Sequence, residues 1–262
     1  MIKNLVLALL ITTTTALAQE QKKIQVTRYN YTLTTVAEIH KSDQTSTVEA
    51  ILDINGDQSR FMNYNRYHLM ESKINPNNSK EKKLEIAHNF GKGFNWIVYT
   101  DNAKTYFYST IGDLKSFYSE DKNTIKWTIL PEVKQWNDYK VQEATTTYGG
   151  REWTVLFTQE IPLQSGPYKF VNLPGLVVKA WDSENHYTFE LLHSQKAETI
   201  WDIVELEKYE QISKDQVNKA RHIDANKTYE QSLSEKGITI QNGPPELKAK
   251  KKTVQNPIER DF

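Results

Sequence analysis

The sequence predicts an α+β protein that is mostly antiparallel β: a strongly curved open sheet, half-barrel or sandwich-like, with a C-terminal helix. Short segments alternate between apolar and polar residues with a period of two, as strands do when one face of an antiparallel sheet is buried. Turn-forming residues separate these segments, and one long segment near the C-terminus has helical periodicity. The 262 residues, 38% of them hydrophobic, suffice for one such domain.

The predicted strands follow one another between residue 23 and about residue 205. Residues 26–33 break the alternation, and a β-bulge near Thr27 and Arg28 would restore it. Residues 71–85 are polar and are predicted to form an exposed loop. The clearest strand signals are a hairpin at 95–110 that turns at Asp101 and Asn102, and strands at 124–130, 151–157 and 186–193.

Residues 213–237 are predicted to form one helix, with a capping box of Ser213 and Gln216 at its start and Gly237 at its end. We assign residues 19–240 to a single β-rich domain and residues 241–262 to a Lys-rich tail. A solvated tail is favoured over contact with acidic lipid or nucleic acid, because the chain has 33 basic and 33 acidic residues.

Residues 1–18 have the pattern of a signal peptide. Lys3 supplies the positive charge, residues 5–11 form a short apolar core, and an Ala-x-Ala cleavage site ends at Ala18. Gln19 is therefore predicted to begin the mature protein. Because the apolar run is too short to span a bilayer, we predict a periplasmic or secreted protein without a transmembrane span.

Signals of catalytic chemistry are missing from the sequence. The chain has no cysteine, which excludes disulfides, a thiol nucleophile and a lipid anchor beside the cleavage site. Common catalytic motifs are absent, and the six histidines bring at most two ligands together, so no metal or other cofactor is predicted. Carboxylate pairs leave no linear trace. A hidden site would lie where strand ends and the helix bring together Asp182, His186, Glu190, His222 and Asp224.

Four tryptophans lie in strand-like segments: Trp96, Trp127, Trp153 and Trp181. Packing in the core is the favoured interpretation, because each ring buries a large apolar area and the alternation directs most of them to one face. The alternative is an aromatic-lined groove for an apolar or sugar-like ligand.

The most distinctive stretch is GPYKFVNLPGLVVKAWD at residues 166–182. Pro174 and Gly175 fit positions i+1 and i+2 of a type II turn, which predicts a positive φ at Gly175. The stretch contains no nucleophile, general base or phosphate-binding loop. A turn between buried strands accounts for all of it.

This stretch resembles the signature of the GLPGLI family, exported proteins of Gram-negative bacteria, with Asn172 in place of the first Gly and Val177 in place of the last Ile. Asn tolerates left-handed backbone well enough to occupy a Gly position. Similar flanks lie at 58–61 (QSRF), 148–153 (YGGREW), 160–170 (EIPLQSGPYKF) and 256–259 (NPIE). The motif residues, all predicted to be structural, are Gly166, Pro167, Phe170, Asn172, Leu173, Pro174, Gly175, Leu176, Val177 and Asp182.

The resemblance implies no particular activity, only an envelope location and, for some members, association with TonB-dependent outer-membrane receptors. We favour an exported, non-catalytic binding or accessory protein whose partner is an envelope protein, such as a TonB-dependent receptor, or an apolar ligand, and not nucleic acid. One alternative is a hydrolase acting on peptide or glycan, which convergent carboxylates of shifted pKa would favour. Another is a scaffold that pairs through a sheet edge, which a long unprotected edge strand would favour.

Overall fold

One sheet of twelve strands organises the molecule. The computed structural model describes residues 22–36, 45–74, 79–81, 84–85, 93–239, 245 and 256–261. The predicted signal peptide and its cleavage site between Ala18 and Gln19 lie outside these residues. The strands are β1 Lys23–Val36, β2 Thr45–Asn55, β3 Gln58–Asn63, β4 Ile97–Thr100, β5 Lys104–Ile111, β6 Leu114–Asp121, β7 Thr128–Trp136, β8 Tyr139–Tyr148, β9 Arg151–Thr158, β10 Leu176–Asp182, β11 Tyr187–Ile200 and β12 Glu210–Gln211.

The sheet is open, with the order β12-β6-β5-β4-β3-β2-β1-β11-β10-β9-β8-β7. Neighbouring strands are antiparallel, except that the two-residue strand β12 runs parallel to β6. Two meanders, β1 to β6 and β7 to β11, meet where the fourteen-residue strands β1 and β11 pair. This long central pairing makes one continuous sheet of the two halves.

The sheet is strongly curved, as predicted. The ring of Tyr168, in the segment between β9 and β10, lies 6.2 Å from the ring of Phe107 on β5 and 6.4 Å from that of Trp153 on β9. In a flat sheet those two strands would be about 34 Å apart, since they are seven strand spacings of ~4.8 Å from each other. The sheet therefore wraps around the segment that carries Tyr168, although it does not close.

Two hydrophobic cores lie on opposite faces of the sheet. The inner core fills the concave face and takes in the segment between β9 and β10. The outer core lies on the convex face of β2 to β5, where helix α1 (Tyr64–Ile74) and residues 200–209 cover it. Tyr67 of this helix is buried in the outer core.

The helices differ from the sequence prediction in two places. Helix α1 was not predicted, and it includes Glu71 to Ile74, which the sequence placed in an exposed loop. The predicted helix at 213–237 is divided into α2 (Lys214–Asn226) and α3 (Tyr229–Glu235). Ser213 and Gln216 form the expected capping box, but Thr228 and Gln231 form a second one that starts α3. No helix among the described residues is long and apolar enough to cross a membrane.

The strand predictions hold for the hairpin at 95–110 and for β9 and β11, with two shifts elsewhere. The strand predicted at 124–130 begins only at Thr128, because Ile125 and Trp127 pack against the inner core before the strand starts. The bulge lies opposite the boundary of Asn30 and Tyr31, three residues further along than predicted. Its extra residue is Leu192 on β11, so β1 itself keeps an unbroken pleat.

The last described residues, 256–261, belong to the core and not to a solvated tail. Asn256 and Glu259 are completely buried, and Ile258 packs in the inner core. The amide of Asn256 donates to the carbonyl oxygen of Val36, and the backbone N–H of Arg260 donates to that of Gly149. The domain boundary predicted at residue 240 is therefore wrong, since the C-terminal segment completes the fold.

Candidate functional site

Three of the segments that carry the GLPGLI resemblance come together inside the concave face of the sheet. Residues 148–153 form the turn into β9, residues 160–170 lead into the segment beneath the sheet, and residues 256–259 lie between them. Two clusters of buried charged residues mark this meeting point, one around Lys169 and one around Arg151. We refer to them as the lysine cluster and the arginine cluster.

The lysine cluster surrounds a buried ammonium group. The side chain of Lys169 is 3% exposed, and its Nζ lies 2.8 Å from Oε1 of Glu259 and 2.5 Å from Oε2 of Glu120. The same Nζ lies 2.9 Å from the hydroxyl of Tyr118 and 2.7 Å from that of Tyr148. Because two carboxylates and two hydroxyls face one ammonium group, its charge is neutralised and its protons all have acceptors.

Glu259 is the anionic partner of this cluster and has no exposed surface. Besides the ion pair with Lys169, its carboxylate accepts hydrogen bonds from the hydroxyls of Tyr118 and Tyr168. Burial alone would raise the pKa of Glu259, but the positive charges of Lys169, Lys214 and Arg221 outweigh it and lower that pKa from 4.5 to about 2. Glu259 is consequently ionised throughout the physiological range.

The tyrosines of the lysine cluster keep their hydroxyl protons and donate them in hydrogen bonds. Burial, followed by the negative charge of Glu259, raises the pKa of Tyr118, Tyr148 and Tyr168 well above the ordinary value. A tyrosine that acts as a general base or a nucleophile needs a lowered pKa. The arrangement therefore suits a fixed hydrogen-bond network and does not provide acid–base chemistry near neutral pH.

The arginine cluster links three distant segments through one guanidinium group. Arg151 donates from Nη1 to Asp182 at 2.5 Å, from Nη2 to Oδ1 of Asn256 at 2.5 Å, and from Nε to the carbonyl oxygen of Ile258 at 3.0 Å. The second oxygen of Asp182 accepts from the backbone N–H of Tyr187 at 2.8 Å. Both oxygens of Asp182 are thus engaged, which explains why an Asp follows β10 at this position.

One group of possible metal ligands adjoins the arginine cluster. Asp182, Glu184 and His186 place their ligand atoms within 4.8 Å of one another. A divalent cation there would compete with Arg151 for Asp182 and with Arg260, which forms an ion pair with Glu184. Asp182 and Glu184 serve as the ion-pair partners of Arg151 and Arg260 in the fold, and these positively charged neighbours do not fit a metal ion.

The predicted hidden catalytic site does not assemble. Of its five residues, only Asp182 and His186 lie together among the described carboxylates and histidines. Glu190 follows Phe189 on β11, so its side chain points to the face opposite the inner core. There it pairs with Lys179 at 2.7 Å. His222 is exposed on α2. Asp224 lies in the last turn of the same helix, 3.8 Å from Nζ of Lys227, the residue that follows the helix.

The four tryptophans lie in the inner core or pack against it. Trp96 and Trp153 are buried in the inner core, as the favoured interpretation required. Trp127 is partly buried and donates from Nε1 to the carbonyl oxygen of Val171 at 2.8 Å. Trp181 is partly buried against the inner core, and Nζ of Lys179 lies 5.5 Å from the centre of its ring. All four rings therefore contact the inner core, in line with the favoured interpretation, and a ligand groove lined by them stays a prediction.

The motif stretch packs closely against its neighbouring strands, and the reason that one of its glycines is needed differs from the predicted one. Asn172 adopts the expected left-handed conformation, with φ of 66°. Gly175 does not have a positive φ; instead, a Cβ at this position would overlap the carbonyl oxygen of Thr158 and lie 2.5 Å from its carbonyl carbon. Gly166 is similarly constrained, since a Cβ there would lie 2.6 Å from Cβ of Val177. The glycines allow the stretch to press against β9 and β10.

Tyr168 was not singled out by the sequence and carries the most unusual backbone of the stretch. Its φ is 55°, a conformation that bulky residues rarely adopt. The strain is offset by the hydrogen bond from its hydroxyl to Glu259 and by ring contacts with both halves of the sheet. The sequence also did not predict a role for Arg151, Lys169 or Glu259. The available signal was that each is a charged residue within a segment that carries the resemblance.

Comparison with known proteins supports the fold and no more than the fold. No family profile matches the chain, and no curated protein matches it. Solved structures do match, among them PNGF-II crystallised in space groups C2 and P21, each with a TM-score of 0.50 and with 12% and 13% sequence identity. The alignments cover 78% of this chain and 34% of PNGF-II, so the chain spans about a third of that protein's length.

Proposed function

We propose that this protein is an exported, non-catalytic binding protein of the bacterial envelope, and that a partner protein contacts it at the edge strand β7. The observation that carries the proposal is the exposure of this strand. Eight of its nine residues are exposed, and three of these are large apolar residues: Ile129, Leu130 and Val133. A concentration of exposed apolar side chains on one element is typical of a protein–protein contact surface.

The surface of β7 favours docking of side chains over the addition of a partner strand. Pro131 has no N–H to offer, and the register with β8 shifts between Ile129 and Val133. Lys134 lies on the same strand and pairs with Glu143 at 2.6 Å. Proline, a bulge and a lysine are features by which edge strands avoid pairing with other edges. The scaffold alternative, which relies on continuous strand pairing, is therefore less well supported than binding through side chains.

The hydrolase alternative has no specific observation in its favour. The buried carboxylates of Asp182 and Glu259 are held by Arg151 and Lys169, and the pKa of Glu259 is lowered, whereas a general acid needs a raised pKa. The charged residues at the meeting point of the motif segments are accounted for by their partners in the fold. Binding is the function that the arrangement leaves best supported.

The envelope location rests on the predicted signal peptide and on the GLPGLI resemblance. The same resemblance makes a TonB-dependent receptor the first candidate partner. Such a receptor would meet the exposed apolar residues of β7 with an apolar surface of its own, flanked by groups that pair with Glu132 and Lys134.

The experiment compares the captured envelope partner of the wild type with that of Leu130→Lys and Val133→Lys variants. Both residues are exposed on β7, so the free energy of unfolding should change by less than about 0.5 kcal/mol. Leu192→Lys is a matched control, because Leu192 is 50% exposed on β11, away from the edge. We expect crosslinking in intact cells to lose one specific partner with the β7 variants and to keep it with the control. Retention of that partner by both β7 variants would overturn the proposal.

A further inference from the structure

The second half of strand β11 has a free edge. β11 is fourteen residues long, whereas β10 has seven residues and pairs with β11 only at residues 188–190. Beyond residue 191, β1 is the one described strand that pairs with β11. We refer to residues 193–198 as the β11 edge. Alternate residues of a strand direct their N–H and C=O groups to opposite sides, so this edge presents backbone groups that have no strand partner within the described chain.

The start of β10 shows why this strand does not cover the β11 edge. The backbone N–H groups of Leu176 and Val177 donate to the carbonyl oxygens of Ile161 and Ser165. These acceptors lie in the segment between β9 and β10, which fills the concave interior. Before them, Pro174 has no N–H with which a ladder could be extended. The chain that would otherwise lie beside the β11 edge is thus directed into the interior.

The β11 edge is open to solvent and lacks the features that protect β7. Five of its six residues are exposed, and only Ala197 is partly buried. It contains no proline, and its register with β1 is regular from residue 193 to residue 200. An exposed edge of this kind is suited to pairing with a strand of another chain.

Two opposite charges on this edge have no counter-charge within the described part of the chain. Nζ of Lys196 donates to the hydroxyl of Thr27 at 2.9 Å, and Oε1 of Glu198 accepts from Nε2 of Gln25 at 2.9 Å. Both hydrogen-bond partners lie on β1 and are neutral. Because Lys196 and Glu198 are two positions apart, they project from the same face of the strand. They are therefore held in place with their charges unpaired.

We propose that the β11 edge pairs with the same edge of a second copy of this chain. In an antiparallel pair centred on Ala197, Lys196 of each copy faces Glu198 of the other copy. The order Lys-Ala-Glu is thus self-complementary under the two-fold symmetry of a dimer. Two cross-strand ion pairs form, and the free backbone groups of both edges obtain partners. A lysine on an edge usually discourages pairing, but here the glutamate of the second copy neutralises it.

The experiment is sedimentation equilibrium of the exported protein over concentrations from about 1 to 500 µM. We expect a monomer–dimer equilibrium with a Kd of about 1–100 µM, because six residues per copy are few compared with the ~20–30 of a standard interface. Hydrogen exchange locates the contact. Backbone amides of residues 194–198 should exchange more slowly at the highest concentration than at the lowest.

Charge reversal tests the facing pairs directly. Lys196→Glu and Glu198→Lys should each weaken self-association about tenfold or more, because both cross-strand pairs then bring like charges together. An equimolar mixture of these two variants should dimerise as the wild type does, since every glutamate then faces a lysine. Lys208→Glu is the matched control, because the side chain of Lys208 is 51% exposed and lies outside β11. This variant should self-associate as the wild type does.

Three results would overturn the inference: the wild type stays monomeric up to about 500 µM, the mixture of the two variants fails to dimerise, or the amides of the β11 edge gain no protection in the dimer. A dimer that is lost with Leu130→Lys and kept with Lys196→Glu would place the contact on β7 and would overturn it as well. The proposal does not depend on the partner sought at β7, so its failure would leave the partner-capture experiment unaffected.

Discussion

At the scale of single residues, the burial of Lys169 determines what its neighbours must be. An ammonium group that is 3% exposed is tolerated only when charges and hydrogen bonds replace its water shell. Glu259, Glu120 and the tyrosine hydroxyls do so, and they come from β6, β8 and the C-terminal segment. A charged pair can therefore lie in a fully buried part of the protein, and its two members come from positions 90 residues apart in the sequence.

Glu259→Gln should lower the free energy of unfolding by about 3–5 kcal/mol, because it leaves Lys169 buried without its full counter-charge. Urea unfolding at pH 7 measures the loss. A Glu259→Gln/Lys169→Met double variant is the control, and it should recover part of the stability because no unpaired charge remains. Equal stability of the single variant and the wild type would contradict the assigned role.

The same carboxylate predicts an acid dependence of stability. The pKa of Glu259 is about 2 in the folded protein and 4.5 as the ordinary value for the unfolded chain. A lowered folded pKa contributes stability above pH 4.5, and this contribution is lost as the pH falls from 4.5 towards 2. Its size is about 3 kcal/mol. Unfolding free energies measured at pH 7 and pH 3 should therefore differ less for Glu259→Gln than for the wild type; an identical difference would count against the ion pair.

Gly175→Ala should destabilise the fold by about 1–3 kcal/mol or more, through overlap with the backbone of Thr158. Gly56→Ala is an instructive comparison, because Gly56 has a φ of 58° and open space around its Cβ position. That variant should lose only about 1 kcal/mol, from backbone strain. Thermal unfolding of both variants measures which one loses more stability. A larger loss for Gly56→Ala would show that the structure shifts to make room for a Cβ at residue 175.

Single residues also differ in whether their roles could be predicted from the sequence. Asn172 could be assigned a left-handed φ because the preference belongs to the residue itself. The need for Gly175 could not be explained correctly, because it depends on a neighbouring strand seventeen positions earlier in the chain. For the same reason the partners of Lys169 and Arg151 were not predictable, since no local pattern specifies a contact across the sheet.

At the scale of elements, helix caps and apolar–polar alternation correctly predicted the features that depend on neighbouring residues in the sequence. The alternation of β9 and β11 and the capping box at Ser213 are local signals, and all three are present in the structure. Helix α1 was missed because its sequence is polar and it is stabilised by burial of Tyr67 in the outer core. The break between α2 and α3 follows from a second capping box at Thr228 that the long-helix interpretation overlooked.

The C-terminal segment 256–261 is the element on which the inner core most depends. Deletion of residues 256–262 removes the partners of Lys169, Arg151 and Tyr187 at once. Several losses of this kind together approach the 5–15 kcal/mol by which a typical domain is stable. We expect the deletion variant to lose its cooperative thermal transition, as followed by near-ultraviolet circular dichroism. A cooperative transition within 5 °C of the wild type would show that the segment is dispensable.

At the scale of the whole molecule, the curvature of the sheet is what brings the resembling segments together. Tyr148 on β8 donates a hydrogen bond to Glu120 on β6, although nine strand spacings, ~43 Å in a flat sheet, separate those strands. Alternation in the sequence predicts a sheet with one buried face. The many aromatic rings on that face fill the interior of a curved sheet. The strongly curved open sheet was predictable in class, whereas its strand order was not, because the pairing of β1 with β11 joins residues about 170 positions apart.

The last prediction concerns the route of the whole chain. Lys3, the apolar residues 5–11 and the Ala-x-Ala site that ends at Ala18 predict removal of residues 1–18 during export. The mature protein recovered from the periplasm or the medium should then begin at Gln19, as read by N-terminal sequencing. An Ala16→Asp/Ala18→Asp variant should remain uncleaved, since signal peptidase sites of this type need small residues at both positions. Recovery of wild-type protein that retains residues 5–11, with the same N-terminus as the variant, would refute export and with it the envelope partner sought at β7.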